Sequence, residues 1–208
     1  MTTFAVLFTA AFTAALVWAE VANSPALRWF KMLASTGFIA VVLSVGALPT
    51  SYGRVVLVAL VLSWIGDLLL TFASRRAFLG GLVAFLLGHV AYSIAFGTLG
   101  LNPPVVAISA VVVVTIAAFV WRWLAPHVGE MAAPVVAYVV VISVMVVLAF
   151  GAFGDDATWL IPVGATLFFV SDLFVARNQF VVPGTVNRVW GLPLYYLAQV
   201  LLALSTTN

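Results

Sequence analysis

The chain reads as an all-α polytopic transmembrane bundle of eight helices. Of its 208 residues, 65% are hydrophobic and only 7% are charged, where a soluble domain carries about 25% charged residues. Its mean hydropathy is +1.27. The apolar residues also fall in runs close to the roughly 20 residues that a membrane span needs, with short polar breaks between them.

The first run, 4–22, has no positively charged segment ahead of Phe4 and reads as a retained helix rather than a signal peptide. Asn23-Ser24-Pro25 breaks it, and the second run, 30–48, ends at Pro49-Thr50-Ser51. The third, 53–73, stops at Ser74-Arg75-Arg76. In the fourth, 78–98, Gly80, Ala84 and Gly88 recur at four-residue spacing, the pattern of a closely packed helix. Asn102-Pro103-Pro104 opens the fifth, 104–124, and Pro126-His127-Val128-Gly129 separates it from the sixth, 131–152. Gly154-Asp155-Asp156 precedes the seventh, 158–176, which carries Pro162 in its first turns. Pro183-Gly184 precedes the eighth, 188–206. Residues 1–208 therefore form a single integral membrane domain, and the short connections make successive helices antiparallel.

Charge sets the orientation. Arg28, Lys31, Arg75, Arg76, Arg122, Arg177 and Arg188 fall at odd-numbered connections, and only Arg54 at an even one. The positive-inside rule then places both termini outside and the odd connections in the cytoplasm. The excess of Arg over Lys fits a GC-rich bacterial genome, so the expected location is a bacterial plasma membrane. The net charge of +2, without a basic run, excludes nucleic acid as a partner. The absence of cysteine excludes disulfides and thiolate chemistry. No Gly-x-Ser-x-Gly, His-Glu-x-x-His or P-loop pattern occurs.

Two acids interrupt the apolar runs. Ser63-Trp64-Ile65-Gly66-Asp67-Leu68-Leu69-Leu70 and Phe168-Phe169-Val170-Ser171-Asp172-Leu173-Phe174-Val175 each place a small residue before an Asp and Leu after it. A carboxylate at the centre of a membrane helix costs roughly 2.5–3.5 kcal/mol on the lenient insertion scale. Asp67 lies about 10 Å and Asp172 about 6 Å above the cytoplasmic helix ends, at about 1.5 Å per residue. Glu20, Lys31, Asn187, Tyr195 and Gln199 fall in the same half, and His89 lies near mid-membrane. The expectation is a polar cavity opening toward the cytoplasm, with a possible parallel repeat of four helices plus four that brings both acids to similar depth. Carboxyls held close together share a proton, which supplies an acid and a base at neutral pH.

The other polar residues each have a structural reading beside the functional one. Glu20 and Lys31 flank the first cytoplasmic turn and could pair with each other, hold a phosphate or tune an acid. His89 could shuttle protons, bind a metal or hydrogen-bond across helices. Tyr195 and Gln199 share one face of helix 8, while Tyr196 points elsewhere, toward packing. Tyr92, Ser93, Ser63 and Ser35 are cavity-lining candidates, although hydroxyls in membrane helices often bond only their own backbone. Asp155-Asp156 and His127-x-x-Glu130 belong to solvated loops. One histidine within the spans and no cysteine make a poor metal site, so neither metal nor cofactor is expected.

Lys31, Gly66-Asp67-Leu68-Leu69-Leu70, Gly88-His89-x-x-Tyr92, Tyr138 with Met145, Gly164-x-x-x-Phe168-x-x-Ser171-Asp172-Leu173 and Tyr195-Tyr196-x-x-Gln199 occur in this order. Together they resemble the YhhN-like lysoplasmalogenase family over about 28–204. Lys31-Met32 departs from the Lys-Pro that is frequent in the family. The resemblance implies eight membrane helices and hydrolysis of the vinyl ether of lysoplasmalogens to a fatty aldehyde and a glycerophospho-base. It also implies that Asp67 and Asp172 are the catalytic residues.

Such chemistry suits two coupled acids. A vinyl ether is protonated on carbon, and water captures the resulting oxocarbenium ion, which calls for a donor, a nearby anion and a base. The substrate is then a lysophospholipid-like amphiphile drawn from the bilayer, bound by Lys31, His89, Tyr92, Tyr195, Gln199, Ser63, Asn187 and Glu20. Asp67, the deeper acid, reads as the donor, and Asp172, nearer Arg177, as the base. A proton-coupled transporter is the competing reading, followed by a non-catalytic lipid-binding protein.

Overall fold

Caps and prolines decide where the elements begin and end. The computed structural model describes residues 1–153 and 158–207, so Asp155 and Asp156 lie outside the described residues. The helices are α1 Thr2–Val21, α2 Leu27–Ser44, α3 Ser51–Leu69, α4 Arg75–Gly97, α5 Pro103–Leu124, α6 Ala132–Gly151, α7 Leu160–Ala176 and α8 Thr185–Leu204. A 3-10 turn, Gly129–Met131, leads into α6, and a π turn, Arg177–Val181, extends α7. Thr50 Oγ1, Ser74 Oγ and Asn102 Oδ1 accept hydrogen bonds from the backbone N–H of Gly53, Ala77 and Val105, capping α3, α4 and α5.

The described residues form helices only, as expected, and seven helices are long and apolar enough to cross a membrane. The exception is α8, which carries Asn187, Arg188, Tyr195, Tyr196 and Gln199. Its polarity has an internal use, because Asn187, Tyr195, Tyr196 and Gln199 are all buried. The described helices place the molecule as an integral, multi-pass membrane protein.

Packing is closest between α3 and α4, α7 and α8, and α1 and α2. Small residues permit this. A Cβ added at Gly88 would stand 3.3 Å from Ser63 Oγ, and one at Gly81 would stand 2.9 Å from Leu70 Cδ2. At Gly37 it would collide with Thr9 Oγ1. The α3 acid has α2 and α8 as neighbours, and the α7 acid has α6 and α8, with α4 packed on α6. The α1–α2 contact has its counterpart in α5–α6, and α3–α4 in α7–α8, while α1 also packs on α8.

Candidate functional site

Asp67 is almost fully buried on α3, and its partners come from two other helices. Lys31 Nζ of α2 stands 3.2 Å from Oδ1. Ser35 Oγ, one turn further along α2, donates to Oδ2 at 2.7 Å, and Tyr195 OH of α8 donates to the same oxygen at 2.6 Å. A membrane carboxylate with an ammonium and two hydroxyl donors around it has its charge compensated and its lone pairs engaged. Tyr196 completes the cluster, since its OH lies 3.0 Å from Ser35 Oγ and donates to the Lys31 carbonyl at 3.2 Å.

Asp172 has a different shell. Tyr138 OH of α6 donates to Oδ2 at 2.7 Å, and His89 Nε2 of α4 lies 3.7 Å from the same oxygen, beyond hydrogen-bond reach. The Asp172 side chain is 18% exposed and that of Asp67 is 3%, so Asp172 is the more exposed acid. His89 is fully buried, and neither ring nitrogen has a hydrogen-bond partner among the described residues. The two shells meet at Phe168, whose ring packs on both His89 (4.5 Å between centroids) and Tyr195 (5.4 Å). Among the described residues the two carboxyls have no hydrogen-bond or ion-pair partner in common.

Behind these shells, Tyr92 OH donates to Gln199 Oε1 at 2.6 Å, and both residues are fully buried. Gln199 Nε2 has no hydrogen-bond partner among the described residues. Of the residues named from the sequence, Lys31 and Tyr195 contact Asp67, His89 lies beside Asp172, and Tyr92 and Gln199 contact each other rather than either acid.

Other candidates lie elsewhere. Glu20 does not meet Lys31; its carboxylate accepts from Arg188 at 2.7 Å, across the contact of α1 with α8. Asn187 is consumed by the α7–α8 connection: its Oδ1 accepts from Arg177, and its Nδ2 donates to the Val182 carbonyl at 2.8 Å. That staple also holds Arg177, which makes no ion pair with Asp172. Ser63, a turn before Asp67, donates back to the Ala59 carbonyl at 3.0 Å and faces Gly88 across the α3–α4 contact. Tyr196, read from the sequence as packing, belongs to the Asp67 shell. Adjacent residues on a helix point about 100° apart, but α8 lies against both α2 and α3, so each tyrosine reaches a different neighbour. Glu130 pairs with Arg75 at the surface, as expected of a solvated loop.

Two acids in unlike shells thus lie inside the helices of a multi-pass membrane protein. The YhhN family profile matches residues 26–206, and the chain belongs to that family. The chain is 32% identical over 162 residues to the lysoplasmalogenase TMEM86A of Bos taurus, covering 74% of this chain and 65% of that protein. It is 33% identical over 147 residues to the lysoplasmalogenase TMEM86B of Rattus norvegicus, covering 71% and 59%. The similarity to a lysoplasmalogenase of Mycobacterium tuberculosis is 32% over 169 residues, covering 76% and 62%. The matched segment thus spans less than two thirds of these relatives' own length. No solved structure matches the chain.

Proposed function

We propose that the protein hydrolyses the vinyl ether bond of a lysoplasmalogen-like single-chain amphiphile, with Asp172 as proton donor and Asp67 as the fixed anion. The observation that carries this reading is the contrast between the two shells. Asp67 faces Lys31 and accepts two hydroxyl hydrogen bonds, which is the surrounding of an ionised carboxylate. Asp172 accepts one hydroxyl hydrogen bond and has no Lys or Arg in ion-pair contact, which suits a carboxylic acid that gives up its proton. These roles reverse those expected from depth along the helices, because Arg177 is engaged by Asn187 and Lys31 reaches Asp67. The names of the relatives point to the same reaction.

The steps balance without a cofactor. Asp172 protonates the alkenyl carbon beta to the ether oxygen, and the positive charge develops on the carbon bonded to that oxygen. The Asp67 carboxylate stabilises this oxocarbenium ion electrostatically. Water adds to the cationic carbon and returns a proton to the Asp172 carboxylate. The resulting hemiacetal breaks the bond from that carbon to the glyceryl oxygen, which takes up the hemiacetal hydroxyl proton, releasing a fatty aldehyde and a glycerophospho-base. The basic end of the bundle, with Lys31, Arg75, Arg76 and Arg188, is the side from which the head group would approach.

The test is aldehyde release by the purified protein in detergent, where a transporter has no second compartment to fill. Release from a lysoplasmalogen, and none from the saturated ether analogue, is expected. No release across a panel of choline and ethanolamine head groups would overturn the proposal.

A further inference from the structure

His89 takes no part in the proposed steps, yet it sits beside the proton donor. It is fully buried, and both ring nitrogens are enclosed with no hydrogen-bond partner among the described residues. Burying a polar ring in this way is costly unless the ring has a use. Nε2 lies 3.7 Å from Asp172 Oδ2, outside hydrogen-bond range by roughly 0.5 Å. Tyr138 and Phe168 hold the ring from two sides, at 5.3 Å and 4.5 Å between centroids. Among the described residues no third His, Cys, Asp or Glu joins the pair, so it does not make a metal site.

The two oxygens of Asp172 are unequal. Oδ2 accepts from Tyr138 OH at 2.7 Å and is the oxygen that faces His89 Nε2. Oδ1 has neither contact, and it is not among the enclosed polar atoms that lack a partner. It is the open oxygen. A carboxylic acid keeps its proton on the oxygen that accepts fewer hydrogen bonds. Donors aimed at Oδ2 therefore leave the proton on Oδ1.

We propose that His89 is a positioning residue for Asp172, its neutral ring carrying the proton on Nε2 and directing it at Oδ2. The proposal rests on the reading of Asp172 as the proton donor of a vinyl ether hydrolase. In the resting acid the contact is long, and the transferable proton stays on Oδ1. As that proton passes to the alkenyl carbon, negative charge grows on the carboxyl and draws Nε2–H into a hydrogen bond with Oδ2. Hydrogen bonds at reacting groups often tighten only in this way, once the substrate is engaged. His89 keeps its own proton throughout, and the attacking water restores the one that Asp172 gave up. The competing tautomer carries the proton on Nδ1, toward the Phe85 carbonyl one turn back, and would turn a lone pair on Oδ2 instead.

The chain has two histidines, His89 and His127. NMR of His127→Gln protein with isotope-labelled imidazole nitrogens therefore reports His89 alone. A neutral ring protonated on Nε2 is expected, and Asp172→Asn should move the Nε2 resonance. A proton on Nδ1, a charged ring, or a resonance indifferent to Asp172→Asn would overturn the proposal. In aldehyde release from a lysoplasmalogen, His89→Leu should lower kcat by roughly 10- to 160-fold, the worth of a hydrogen bond to a charged group. KM should stay unchanged, since the enclosed ring acts through Asp172. His89→Gln, whose amide nitrogen reaches the place of Nε2, should regain most of the rate. His89→Asn reaches only the place of Nδ1 and should not. Equal rates for the Gln and Asn variants, or a loss confined to KM, would also overturn it, and that pair of variants decides if His89→Leu does not fold. Hydrolysis with the Nδ1 tautomer defeats this inference alone. The Nε2 tautomer and its response to Asp172, without any hydrolysis, leave the pair assigned and defeat the proposed function instead.

Discussion

Lys31→Met isolates the charge pair on which the assignment of Asp67 rests. The Lys31 and Asp67 side chains are 13% and 3% exposed and 3.2 Å apart. Removing one partner of a buried ion pair typically costs about 3–5 kcal/mol, because the other charge is left uncompensated. Asp67 would keep its hydrogen bonds from Ser35 and Tyr195, so the loss should fall near the lower end, about 3 kcal/mol. Asp67→Asn should be milder, about 1 kcal/mol or one hydrogen bond. Lys31 starts in the second turn of α2, and its long stem can carry the ammonium out to the head groups. The double variant removes both charges and should lose about 2 kcal/mol where additive effects would give about 4, a coupling of about 2 kcal/mol. Equilibrium unfolding of all four proteins in mixed detergent micelles measures this cycle. Additive single effects, with coupling below about 0.5 kcal/mol, would refute the claim that Lys31 and Asp67 form an energetically coupled buried pair.

Asp67→Asn and Asp172→Asn should each lower aldehyde release by roughly 10²–10⁴-fold, the usual contribution of a positioned acid or base, with helical content retained. A near-wild-type rate in either folded variant would make that aspartate structural. Gly66→Ala would place a Cβ 2.6 Å from the Phe85 ring, which itself packs on Tyr195 and Phe168. Overpacking of this kind costs about 1–3 kcal/mol, so thermal unfolding in detergent should shift down and the hydrolysis rate should fall with it; an unchanged melting temperature would contradict the packing described. Cysteine labelling at the exposed Thr207 should report an external C-terminus, and labelling only from the cytoplasmic side would reverse the topology.

The helices were legible because bilayer thickness imposes a run length on any spanning segment, whatever its neighbours. Their ends were less legible. α2, α4 and α8 each begin three residues before the apolar run that announces them, at Leu27, Arg75 and Thr185. Their first turns hold Arg28, Arg75 with Arg76, and Arg188, which hydropathy assigns to loops but which a helix accommodates by turning long side chains toward the head groups. Asp67 and Asp172 were legible for the opposite reason, since an acid in an apolar run conflicts with its surroundings. Their partners were legible only in part. Lys31 and Tyr195 stand out as polar residues at the right depth, but the switch of Glu20 to Arg188 depends on α1 lying against α8. No local pattern encodes that contact.

The matched contexts of the two acids led to an expectation of equal partners sharing one proton, and the structure shows where that symmetry ends. Each acid sits in the second half of an antiparallel hairpin helix, with a small residue before it and Leu after it, at similar depth. What differs is the residue that each neighbouring helix presents. α2 offers Asp67 an ammonium and a hydroxyl, and α6 offers Asp172 a phenol. α8 gives Asp67 a tyrosine hydroxyl in contact, while α4 leaves an imidazole 3.7 Å from Asp172. The local sequence sets depth and helix packing, and the non-local shell sets chemistry. The proposed division into a fixed anion and a proton donor rests on that difference, with Lys31, Ser35 and Tyr195 around Asp67 and Tyr138 and His89 beside Asp172.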